Sequence, residues 1–349
     1  MKLSKKNAAV VQKTLDGWAS EGVIAPEEHQ RLLKHVVIQP FDWRRLASYA
    51  FLGALACLAT AVASLFADSV LIAWISQFLR FDAPAISVIC AGIAVTFYYW
   101  GFRRYRLSPD KIYSNEALLF LGVLFTATSL GYLGIWLDNG SGRVSLLLLL
   151  GAGIYALIGW LGRSPLVWLF ALLSLGNAFG AETGYLSGWG AYWLGLNYPL
   201  RFILFGLILI SVVLLAQNPL RQRRLERVSQ AMGLLYLFLA LWLLSIFGNY
   251  GDIDGWYQVR QIALFHWSLL FALAAGAAIW LGLKRDDAML RGFGLTFLAI
   301  NLYTRFFELF WDSLTKTLFF VILGGSLWLL GRYAEKIWRL GHSNTDVTH

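Results

Sequence analysis

Five residues near the end of the chain have the types and spacing that chemistry at a buried site requires. Asn301, Arg305, Glu308, Asp312 and Lys316 follow one another at intervals of 4, 3, 4 and 4 residues. On one continuous helix these intervals place all five on a single face. Their surroundings are apolar, and ionisable groups at membrane depth are costly and are retained when they pair or serve a site. Two readings follow. The first is self-neutralising pairs, Arg305 with Glu308 and Asp312 with Lys316, at a tight turn between the last two spans. The second is a solute or ion site. Catalytic signatures are missing from the sequence: it has no phosphate-binding loop, no His-Glu-x-x-His and no Gly-x-Ser-x-Gly. Asp252-Ile253-Asp254-Gly255 begins like a calcium loop but lacks the later ligands. Cys57 and Cys90 lie inside apolar runs without the spacing of a metal or redox pair. No catalytic residue, cofactor or metal ligand is expected.

Three other groups bear on function. Gly176, Gly180, Gly184 and Gly188 recur every four residues, the spacing that lets two helices approach closely in lipid. An internal helix contact or a dimer face would use it. Arg143, Arg201 and Arg260 each open an apolar run on one expected side. They would snorkel to lipid phosphates, pair with Asp138, Glu182 and Asp254, or share an anion-binding vestibule. His266 stands inside an apolar run and is expected to be buried with its hydrogen bonds satisfied.

The elements that must position these groups are membrane helices. The chain has 349 residues, 58% hydrophobic and 14% charged, against roughly 25% charged in a soluble domain. Apolar runs separated by short charged patches predict spans at about 46–66, 85–102, 117–137, 144–161, 165–186, 200–216, 230–247, 261–283, 289–310 and 314–331. From Phe202 to Leu215 alone, twelve Leu, Ile, Val or Phe residues favour insertion by about −4 to −7 kcal/mol. The expected fold is therefore an all-α polytopic membrane helix bundle of about ten transmembrane helices. Placing both ends in the cytoplasm puts 23 of the 29 basic residues on the inner side, as the positive-inside rule requires. That explains the net charge of +9 without nucleic acid, and the anionic inner leaflet is the expected partner. Trp74, Phe78, Trp189, Tyr192, Trp193, Tyr198, Trp256 and Tyr257 mark the outer interface, and residues 69–79 read as a helix lying on the membrane.

Residues 1–45 read as a small cytoplasmic helical hairpin, 46–331 as the transmembrane domain and 332–349 as a cytoplasmic tail. In the hairpin, Ala8, Val11, Leu15 and Trp18 share one helical face, Gly22 stops the first helix, and Pro26 with Glu27 and Glu28 starts the second. The hairpin closes over Val23 and Ile24. It is too small for a core of its own and is the expected surface for a protein partner or a second copy.

The hairpin pattern Leu15-x-x-Trp18…Gly22-Val23-Ile24-x-x-Glu27-Glu28 precedes the first apolar run. The C-terminal stretch reads Arg291-Gly292-Phe293-Gly294…Asn301-Leu302-Tyr303…Arg305-Phe306-Phe307-Glu308…Phe310-Trp311…Lys316…Phe319-Phe320…Gly324…Gly331-Arg332. Together they resemble a family of bacterial predicted membrane proteins known as domain of unknown function 2157 and its relatives. The resemblance covers about 45 residues at the start and 50 at the end. It implies a bacterial cytoplasmic (inner) membrane location and brings no activity or site residues. Three functions stay open: transport of a small solute, a non-transporting interaction or assembly role, and membrane-embedded lipid processing. Ten spans could hold two inverted halves of five helices, a transporter design, although the sequence carries no internal repeat.

Overall fold

In the computed structural model, residues 2–34, 37–39, 53, 82–108, 111–137, 140, 143–251, 253–311 and 313–339 are described. The expected span at 46–66, the interfacial segment 69–79, Cys57, Asp312 and the tail beyond 339 lie outside them. The chain divides into two compact units, Met1–Phe81 with Gly101–Leu118, and Asp82–Trp100 with Leu119–His349.

In the first unit, helices α1 (Lys5–Ser20) and α2 (Pro26–Lys34) form where the capping residues predict them. Gly22 adopts the left-handed conformation, φ +72°, that ends a helix most cheaply in glycine. Val23 N then bonds back to the Trp18 carbonyl at 2.9 Å. His29 Nε2 lies 2.7 Å from Asp16 Oδ1 and ties the two helices together. Of the predicted apolar face, Leu15 is buried, but Trp18 is exposed and Val23 is 65% exposed, so the hairpin does not close over Val23. A three-residue parallel ladder of β1 (Lys2–Ser4) with β2 (Val37–Gln39) joins the two ends. It pairs backbone groups that would otherwise need water. Within the same unit Tyr105 Oη donates to Glu116 Oε1 at 2.5 Å, and Asn115 Nδ2 to the Ser108 carbonyl at 3.0 Å.

The later helices are α3 (Ala83–Leu107), α4 (Ile112–Leu137), α5 (Ser145–Gly162), α6 (Pro165–Leu186), α7 (Tyr198–Leu215), the short α8 (Gln217–Gln222), α9 (Glu226–Phe247), the short α10 (Ile253–Tyr257), α11 (Phe265–Lys284, preceded by one 3-10 turn), α12 (Ala288–Phe310) and α13 (Lys316–Arg339). Their boundaries follow local chemistry. Ser164 Oγ accepts from Val167 N at 3.2 Å with Pro165 in the first turn of α6. Asn197 caps α7, and Asp287 Oδ1 caps α12 by accepting from Met289 N at 2.9 Å and Leu290 N at 3.1 Å.

In the second unit α9 is central and packs against α6, α7, α11 and α12, while α5–α6, α7–α9 and α11–α12 are paired neighbours. One core gathers Leu172, Phe205, Leu209, Val213 and Met232, and a second gathers Phe238, Leu241, Phe271, Ala275 and Phe297. Where backbones meet most closely, the residue is a lone glycine. A Cβ on Gly206 would lie 2.8 Å from Leu237 N, one on Gly282 2.6 Å from Arg291 N, and one on Gly294 2.8 Å from the Ala275 carbonyl. The outward faces are apolar: Val88, Val95, Leu157, Ile208 and Leu273 are exposed, and Leu215 is 88% exposed. Inward positions carry Ser87, Thr126, Ser129, Ser229, Ser245, Ser268 and Asn301. Apolar outside with small hydroxyls and amides inside is the packing that lipid selects.

Among the described residues, seven helices are long and apolar enough to cross a membrane: α3 to α7, α9, and α11 with its 3-10 lead-in. The expected spans at 289–310 and 314–331 are helical but not among the seven. Helix α12 has 23 residues, enough length, but Arg291, Arg305 and Glu308 lower its apolar content. Helix α13 offers a shorter described apolar stretch, Lys316–Trp328.

Candidate functional site

The five residues singled out from the sequence do not stay together. Helix α12 ends at Phe310, so the stripe breaks before Lys316. Lys316 starts the next helix, where its Nζ donates to the Trp311 carbonyl at 2.5 Å and lies 3.7 Å from the centre of the Trp311 ring. It closes the turn rather than extending the site. Asp312 lies outside the described residues.

Asn301, Arg305 and Glu308 do converge, on partners that spacing could not reveal. Asn301 is buried against α11: its Oδ1 accepts from Ser268 Oγ at 2.7 Å and its Nδ2 donates to the Ser268 carbonyl at 3.0 Å. One turn on, Arg305 Nη2 donates to the Ser245 carbonyl of α9 at 2.8 Å and to Glu308 Oε1 at 2.8 Å, and lies 2.6 Å from Glu308 Oε2. These two charges neutralise each other; the other expected pair, Asp312 with Lys316, falls on a residue outside those described. Arg305 Nε is buried and engages no hydrogen bond among the described residues.

Helix α12 has two faces. One carries Arg291, Gly294, Asn301 and Arg305 and packs inward. Arg291 is 1% exposed, packed over Gly282, with its Nη1 3.8 Å from Asp286 Oδ1. The other face lines a groove of about 1150 Å3 with Trp242 and Ile246 of α9 and Leu327 of α13. It runs from Ala288 to Glu308, about 30 Å at ~1.5 Å per residue. Phe293, Thr296, Ile300, Tyr303 and Phe307 form its wall. Its polar groups gather towards one end, where Glu308, Thr304 and Tyr303 lie. There Trp242 Nε1 donates to Thr304 Oγ1 at 2.9 Å, and Tyr303 Oη shares a bond with Ser326 Oγ at 3.2 Å.

The glycine series is consumed inside the protein. A Cβ on Gly176 would overlap the Tyr236 hydroxyl, one on Gly180 would lie 3.1 Å from Phe202 Cζ, and one on Gly184 would lie 2.6 Å from Tyr198 Oη. Aromatic side chains of α7 and α9 occupy the stripe. Gly188 lies beyond the end of α6, at φ +63° in the turn.

The three arginines do not share a vestibule. Arg143 donates to Glu182 at 2.5 Å, and Glu182 also accepts from Ser145. Arg201 does not snorkel: it is 0% exposed and donates to three backbone carbonyls, Leu196 at 2.9 Å, Ala191 at 3.0 Å and Thr183 at 3.3 Å. Arg260 is exposed at the start of the 3-10 turn. His266 is also exposed, beside Trp267 with ring centres 4.8 Å apart and the planes tilted by 43°, because Leu264, Ser268 and Phe271 take the inward positions. Asp254 is exposed. Of the basic cluster after α7, Arg221 Nε pairs with Glu226 Oε2 at 3.1 Å across the start of α9.

This architecture, an all-helical bundle with seven apolar helices of spanning length, fits the class of multi-pass membrane proteins. No family model, curated protein or solved structure matches the chain.

Proposed function

We propose that the protein is a multi-pass transporter of the bacterial cytoplasmic membrane, with about ten spans and both ends inside, and that its solute is a small amphiphile taken up along α12. The observation that carries this reading is the groove: a long apolar cleft along α12 with Glu308, the partner of Arg305, towards one end. At about 1150 Å3 it exceeds the roughly 300–1,000 Å3 of ordinary small-molecule sites, which suits an extended tail. A fully polar solute finds almost no hydrogen-bonding wall in it. An apolar tail beside Phe293, Ile300 and Phe307, with its head near Thr304 and Glu308, satisfies both ends. The kinship with domain of unknown function 2157 is part of this proposal and rests on the residues quoted above. The interaction role loses one of its two supports, since rings of the same chain cover Gly176, Gly180 and Gly184, and it then rests on the hairpin of residues 1–45.

The test is photolabelling of the full chain in lipid nanodiscs with a diazirine-bearing alkyl amphiphile. Labels should map to Thr296, Ala299 and Ile300, and Ala299→Trp should abolish them while the protein stays folded. In proteoliposomes the same variant should slow transbilayer movement of a fluorescent single-chain lipid. Labelling spread evenly over outward-facing helices, unchanged by Ala299→Trp, would remove the reading.

A further inference from the structure

A second cavity, of about 340 Å3, lies at the loop end of α6, α7 and α9. Its walls include five aromatic residues, Trp189, Tyr198, Phe247, Tyr250 and Trp256. We propose that it binds a neutral sugar ring.

The first argument is that the site is built. Two loops form it, and each is stitched to the other. Asn197 Nδ2 donates to the Gly248 carbonyl at 2.6 Å, Asn249 Nδ2 to the Gly195 carbonyl at 3.2 Å, and Tyr192 Oη to the Asn249 carbonyl at 3.0 Å. Arg201 holds the first loop through the Leu196 and Ala191 carbonyls. Within this frame Trp189 adopts φ +59°. A bulky residue in that region is a true outlier, costing of order 1–3 kcal/mol unless the surroundings enforce it. Glycines stand on both sides, at 188 and 190, yet the strained position carries the indole. The residue is 58% exposed.

The second argument is charge. Among the described residues no Asp, Glu, Lys, Arg or His lines the cavity, so none of them offers a cation or an anion a counter-charge there. A quaternary ammonium would otherwise suit an aromatic cage. Here the Arg201 guanidinium already sits 4.5 Å from the centre of the Tyr198 ring and would repel it. An anion finds no donor on Arg201, which is wholly buried with each of its three nitrogens already bonded to a carbonyl. What remains is a neutral molecule with flat apolar faces and polar edges. The C–H face of a pyranose is slightly positive and complements the negative face of an aromatic ring. Of the lining residues, Tyr250 and Trp189 offer its hydroxyls a phenol and an indole N–H. The volume lies at the small end of ligand sites, the scale of one ring.

The cavity is separate from the α12 groove, so it can be tested without it. Saturation-transfer NMR is run on the full chain in nanodiscs, free of sugar detergents, with methyl glucoside, methyl mannoside and methyl N-acetylglucosaminide. Choline and inorganic phosphate serve as charged controls. At least one glycoside should receive saturation at its ring C–H protons, and neither control should. Trp189→Gly removes the indole and places at φ +59° the residue that adopts it freely. It should stay folded and weaken binding about tenfold, the order expected for losing one stacked ring. Trp256→Ala, on the other loop, should also weaken it. Choline or phosphate binding in place of a sugar, no glycoside signal at all, or full binding by Trp189→Gly would each overturn the proposal.

Discussion

Arg201→Lys is the substitution whose outcome follows most directly from the geometry. The guanidinium spreads its nitrogens over three carbonyls, from Leu196, Ala191 and Thr183, at 2.9, 3.0 and 3.3 Å. A lysine ammonium is a single point on a different stem and does not reproduce a planar fork. At least two of the three carbonyls then lose their donor. Each buried group left unsatisfied costs about 1–3 kcal/mol, so the loss is about 2–6 kcal/mol. The charge meanwhile stays in the same dry place with fewer partners. Arg201→Met also strands the carbonyls but removes the buried charge, and removing a buried charge costs less than leaving it poorly partnered. Lysine should therefore be at least as damaging as methionine. The assay is reversible unfolding in mixed micelles, titrated with denaturing detergent and followed by tryptophan fluorescence. If lysine were near neutral and methionine severe, charge alone would be what the position needs, and the three-carbonyl reasoning would be refuted.

Gly206→Ala places a Cβ 2.8 Å from the Leu237 backbone nitrogen, whereas Gly180→Ala meets only the tip of the Phe202 ring at 3.1 Å. The first should cost about 1–3 kcal/mol as an overpacked contact and the second clearly less; the reverse order in the same unfolding assay would deny that backbone approach decides. A double-mutant cycle of Asn301→Ala with Ser268→Ala should give a coupling of about 0.6–1.7 kcal/mol, the range for hydrogen bonds between membrane helices, and a coupling of zero would break the α11–α12 link. His266→Ala should change stability by less than about 0.5 kcal/mol, as for other exposed sites; a larger loss in thermal melts would mean that the ring is packed.

The features legible in the sequence are those settled within a few residues. The stop at Gly22, the start at Ser164-Pro165 and the apolar lengths of α3 to α7, α9 and α11 depend on backbone dihedrals, capping atoms and hydropathy, all local. The pairing of Arg305 with Glu308 was legible for the same reason, since three residues along a helix bring them together. Arg143 with Glu182, 39 residues apart, was legible only as one of several pairings.

Which face of each helix turns inward was not legible, and that decided most of the site. A helix in a soluble protein shows its buried side as an apolar stripe. A helix in lipid is apolar on both sides, so its periodicity carries little sign of inside or outside. His266 therefore read as buried and is exposed, and Arg201, read as snorkelling, acid-paired or facing a vestibule, is enclosed by carbonyls 5, 10 and 18 residues away. The four-residue glycine series does meet other helices, but through the rings of Tyr236, Phe202 and Tyr198, while neighbouring backbone crowds Gly206, Gly282 and Gly294, which no period marks. Ser245 and Ser268, which complete the polar centre, carry no signal beyond being small and polar. Sequence sets how long each helix is and where it begins. Only the packing of α9 against its neighbours sets what each helix presents, because in lipid that choice rests on shape and hydrogen bonds between distant residues.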